Sequence, residues 1–143
     1  MAARLGSCRC ALLISAALIV AVALVVAAGV IPPVKADTFP DATPESAVPA
    51  FWANVLIGLL MAVILAVTAI RTSGRSRRST VMLTVVAALV LILAFALNDA
   101  ALAYKAEGPP MRSATTLLFL CAAVDLLAAV LIGASAFQLP KRA

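Results

Sequence analysis

Four apolar stretches, residues 11–31, 51–70, 80–104 and 113–137, alternate with short segments that hold most of the charged residues. Within each stretch Leu, Ala, Val and Ile follow one another with few interruptions. The period-two alternation of a barrel strand is absent. Crossing the hydrocarbon core of a bilayer takes about 20 helical residues, with a working range of roughly 17–25. Each stretch meets that length, and a helix satisfies its own backbone groups where lipid offers no partner. The pattern predicts an all-α membrane protein, a four-transmembrane-helix bundle forming a single membrane domain over 1–143.

The segments between the runs supply the punctuation. Gly29 and Pro32-Pro33 close the first run, Pro49 and Phe51-Trp52 open the second, and Arg71 stops it. The fourth run starts after Gly108-Pro109-Pro110 and ends before Pro140-Lys141-Arg142. An acidic, proline-rich loop over 32–50 is too short for a domain, and a basic loop occupies 71–79. One alternative concerns the first run. Arg4 and Arg9 could begin a signal peptide cleaved near Ala36, which would leave three helices. Its apolar stretch is longer than the roughly 7–15 residues of a signal core, which favours a retained helix.

Composition strengthens the membrane reading. Hydrophobic residues make up 65% of the 143 and charged residues 12%, with a mean hydropathy of +1.17. A soluble domain of this size has too much surface for its volume to hide so much apolar area. The net charge of +5 does not mark a nucleic-acid binder, because the basic residues cluster at the ends of the apolar runs. Their placement sets an orientation instead. With both termini cytosolic, the inner segments carry eight basic residues: Arg4, Arg9, Arg71, Arg75, Arg77, Arg78, Lys141 and Arg142. The outer side carries three, Lys35, Lys105 and Arg112, which satisfies the positive-inside rule. Trp52 and Tyr104 then anchor the same outer interface. The arginines of the 71–79 loop serve topology and attraction to anionic headgroups.

Several polar or small residues stand out within the runs. Asp125 lies at the midpoint of 113–137, where an aspartate costs about 2.5–3.5 kcal/mol on insertion scales, so it should face protein or a water-filled cavity. Cys121, Asp125, Ala129 and Gly133 share one small side of this helix, and Leu117, Leu120, Val124, Leu127 and Leu131 line another, larger one. A stripe of Thr80, Thr84, Ala87, Leu91, Ala94, Asn98 and Ala101 marks the third helix, with Asp99 close to its outer end. Asn54, Gly58, Ala62 and Ala66 give the second a small-residue register suited to helix association. Ser15, Thr68 and Thr84 are expected to bond back to their own preceding turns. Cys8 and Cys10, near the inner interface, are candidates for palmitoylation.

Catalytic chemistry finds little material. There is no His, and neither a phosphate loop nor a nucleophile elbow occurs. Asp99 and Asp125 belong at different depths, which disfavours a carboxylate pair, and the three cysteines suit no tetrahedral metal site. The expectation is a non-enzyme without cofactor or metal. Two functional classes follow. The first is a small tetraspan structural or interaction protein, associating with lipid, with itself as a homo-oligomer, or with another integral membrane protein. The alternative is a small oligomeric transporter or channel with Asp125 in a polar path. In length and span count the chain resembles four-helix membrane families with both termini cytosolic, such as the MARVEL-like and plant Casparian-strip-like proteins. That resemblance covers topology only and implies no residue roles. The default location is the plasma membrane or a secretory-pathway membrane, with an organellar membrane as the other possibility.

Overall fold

Long unbroken runs of Leu, Ala and Val favour helix, and in the computed structural model every described element is helical. The structure describes residues 2–31, 44–71, 77–105 and 112–138. Helix α1 spans Ala2–Val25 and continues through a π-helical turn at Val26–Val30. The others are α2 at Pro44–Arg71, α3 at Arg77–Lys105 and α4 at Arg112–Gln138. Each of the four is long and apolar enough to cross a membrane. The protein is a four-helix, multi-pass integral membrane protein.

The helices outrun their apolar stretches. Residues 44–50, expected in the loop before the second run, form the first turns of α2. Proline explains how this is possible: Pro44 takes the first helical position, where its missing N–H costs nothing. Pro49 is the sixth helical residue, just past the first turn, so it forfeits one intrahelical bond there. Helix α1 likewise starts well before residue 11, because the segment carrying Arg4 and Arg9 contains no helix breaker other than Gly6. The proposed cleavage position at Ala36 lies outside the described residues, as do Lys35 and Arg75.

Two apolar clusters stack along the bundle. One joins Leu12 and Ile19 of α1, Met61 and Leu65 of α2, Leu83 and Val90 of α3, and Ala128 and Ile132 of α4. The other joins Val26 and Val30, Phe51 and Val55, Leu97 and Ala101, and Leu118 and Ala122. Residue numbers rise from the first cluster to the second on α1 and α3 and fall on α2 and α4, so consecutive helices run antiparallel. Helix α4 packs along α3 and α1, and α1 also packs on α2, whereas α2 and α3 meet only slightly. Less than half of each span is buried. The remainder presents Leu, Val, Ile and Phe outward, as lipid requires.

A glycine lies where α1 meets α4. A Cβ placed on Gly29 would stand 2.7 Å from Leu117 Cδ1, well inside the ~3.5–4.0 Å of an ordinary carbon contact. Gly29 stays helical, inside the 11–31 stretch predicted from sequence. It sits within the π turn, whose widened hydrogen bonding is shown by the Ile31 N–H donating to the Val26 carbonyl.

Candidate functional site

The centre of the bundle is built around α4. Successive positions 114, 118, 121, 125, 128, 132 and 136 recur every three or four residues, and all are buried. Asp125 lies in the middle of that face, 2% exposed, between Cys121 and Ala122 on one side and Ala128 and Ala129 on the other. It thus falls at the junction of the two apolar clusters. The nearest basic residue before it on its own helix is Arg112, thirteen positions and about 20 Å away along the axis. A side chain that is costly in hydrocarbon is thus enclosed by protein, near the middle of the span Ala114–Phe137.

The residues around Asp125 divide by size. Cys121 and Ala129 are buried with it, while Leu120 and Leu127 face outward at 58% and 53% exposure. Gly133 is half-buried and does not mark a close approach, since an added Cβ there would meet nothing within 4 Å. On α2, Gly58 and Ala62 are buried, Asn54 and Ala66 half-buried, and a Cβ on Gly58 would reach Ile19 Cγ2 at an ordinary 3.5 Å.

Helix α3 turns a different side inward from the small-residue stripe. Its core positions are Leu83, Val86, Val90, Leu93 and Leu97, joined by Ala94 and Ala101 from the stripe. Thr84 is exposed, Asn98 half-buried and Asp99 exposed. The two carboxylates Asp99 and Asp125 therefore differ in environment as well as in depth. Among the described residues, no group of three or more His, Cys, Asp or Glu side chains converges.

Three hydroxyls bond back to their own helices. Ser15 Oγ donates to the Ala11 carbonyl at 2.8 Å, Thr68 Oγ1 to the Ile64 carbonyl at 2.7 Å and Thr84 Oγ1 to the Thr80 carbonyl at 2.7 Å. These are the back-bonds expected of hydroxyls inside helices. Thr115 was not singled out by sequence. It is buried, and its hydroxyl finds no hydrogen-bond partner among the described residues.

At the ends of the bundle, Trp52 is 46% exposed while its neighbour Phe51 is buried, so the aromatic pair divides between lipid and core. Tyr104 lies in the last turn of α3, with its side chain outside the described set. Arg71, Arg77 and Arg78 are exposed at the facing ends of α2 and α3. Cys8 is buried in the first cluster, and Cys10 is exposed. Accessibility thus separates the two palmitoylation candidates. Searches against protein-family models, curated proteins and solved structures matched nothing to this chain.

Proposed function

We propose that this is a non-catalytic structural or interaction protein, inserted with both termini cytosolic and associating laterally with itself or another integral membrane protein. The observation that carries the reading is the placement of Asp125. It is enclosed at the bundle centre, with apolar clusters above and below it along the axis. A transport path would continue such a carboxyl with further polar side chains toward each surface. Apolar continuation suits a group that hydrogen-bonds inside the bundle and fixes helix register. The outward face of α3 supports lateral association, since α2 and α3 share little contact and α3 exposes Val81, Val85, Leu89 and Ile92. The asymmetry of basic residues supports the orientation, and a plasma or secretory-pathway membrane is the proposed setting.

The test pairs Asp125→Asn with Asp125→Leu in purified protein in mild detergent and in liposomes. Asn keeps a hydrogen-bonding side chain of nearly the same shape, so native size and resistance to unfolding should match the parent. Leu removes the polar group and should lower resistance to unfolding. The native particle should exceed the 14.6 kDa of one chain once detergent is accounted for. A single-chain particle under every mild condition, with no co-purifying subunit, would sink the lateral-association reading. Proton or solute flux that Asn abolishes while assembly stays intact would replace it with the transport reading.

A further inference from the structure

Helices α3 and α4 pair closely along most of their length, yet their lipid-facing edges part between residues 91–98 and 119–126. The gap is a groove of about 340 Å³. Ala94 and Ala122 are buried at its floor, Phe95 and Phe119 form walls, and Asn98 stands at one end. Small floor residues create the space, because Ala leaves empty the volume a Leu would fill.

Depth gives the groove a direction. The α3 span Arg77–Ala103 has residue 90 at its middle, so the groove begins beside the midplane at Leu91. Asn98 is eight residues beyond residue 90, about 12 Å along the axis at 1.5 Å per residue. The hydrocarbon half-thickness is about 15 Å, which sets the amide just beneath the headgroups. Lys105 is exposed seven residues beyond Asn98, two turns on and on the same edge of the helix. From midplane to surface the order is apolar slot, amide, cation.

The volume selects the kind of occupant. A partner helix is about 10–12 Å wide, and a 10 Å length of one fills roughly 800–1,100 Å³. A helix would therefore lie over the opening and reach in only with side chains, whereas a single extended chain can lie along the slot itself. We propose that this groove seats one acyl chain of a glycerophospholipid, with an ester oxygen accepting from the Asn98 amide and the phosphate held by Lys105. The amide can both donate and accept, and lysine binds phosphate as a point charge. This site rests on membrane residence and does not depend on lateral association.

The test uses phosphatidylcholine carrying a photoactivatable diazirine in one acyl chain, mixed into phosphatidylcholine liposomes that contain the full chain. Peptide mapping after illumination should show labelling concentrated on 91–98 and 119–126 over the equally apolar outward face of α2. Ala123→Trp fills the groove from an exposed position and should abolish that enrichment. Ala96→Trp, exposed at the same depth but on the far side of α3 from the groove, should leave it unchanged. Asn98→Leu should weaken it by roughly fivefold, the equivalent of one net hydrogen bond, and Lys105→Glu should also weaken it. Uniform labelling of all helices, or enrichment that survives Ala123→Trp, would overturn the proposal. So would a fall in native particle size caused by Ala123→Trp, which would make the groove a protein contact; an unchanged size alongside lost labelling supports the lipid site whatever the fate of the lateral-association reading.

Discussion

Truncating a buried leucine in this bundle should cost less than the same change in a water-soluble core. Leu65 and Leu118 are fully buried, one in each apolar cluster, whereas Leu56 is 64% exposed on the outward face of α2. In soluble proteins a core Leu→Ala costs about 2–5 kcal/mol, combining lost transfer from water with the cavity left behind. The transfer part is about 2.4 kcal/mol for three carbons at ~0.8 kcal/mol each. Lipid tails are as apolar as leucine, so that part vanishes when the competing state remains in the bilayer. Packing loss alone leaves roughly 0.5–2.5 kcal/mol for Leu65→Ala and for Leu118→Ala. Leu56→Ala exchanges one lipid contact for another and should stay within about 0.5 kcal/mol of zero. The two core sites lie in separate clusters, so their double variant should be additive within about 0.5 kcal/mol. Reversible unfolding in mixed micelles, with the denaturing detergent titrated, reads all four quantities. Equal costs at Leu56 and Leu118 would refute the assignment of inward and outward faces. Losses of 4–5 kcal/mol at the core sites would refute the lipid reference state.

Two further outcomes follow from α1. Gly29→Leu should destabilise the bundle by about 1–3 kcal/mol through overpacking against Leu117, while Gly133→Ala, which meets open space, should not; equal effects in the same unfolding assay would show that the π turn does not set the α1–α4 distance. Mature protein should retain residues 1–36, because Leu12, Ile19, Val26 and Val30 complete both clusters. N-terminal sequencing that begins just after Ala36 would contradict this, and a truncated chain lacking α1 should be more protease-sensitive than the full one.

Membrane residence was legible in sequence because it depends on run length and composition, which need no partner. Element ends were less so: Pro44 and the stretch around Arg4 belong to helices although neither is apolar. The inward faces depended on what each position contrasted with. On α4, Asp125 is costly in lipid and fixed the rotation of its helix, and Cys121 and Ala129 followed it inside. On α3, Leu91 and Ile92 differ little in polarity from Leu93, yet Leu93 is buried and Ile92 is 61% exposed. A helix apolar all round carries no moment to orient it, so the stripe through Thr84 could not reveal that Leu83, Val86 and Val90 turn inward. Gly29 was hidden for another reason. Its role is a distance to Leu117, eighty-eight residues away, and beside Pro32-Pro33 a glycine reads most simply as a stop. Where lipid replaces water, hydrophobicity reports where a segment resides, and only polar exceptions and steric contacts report how it turns. Among the described residues, Asp125 and Gly29 supply that second kind of information.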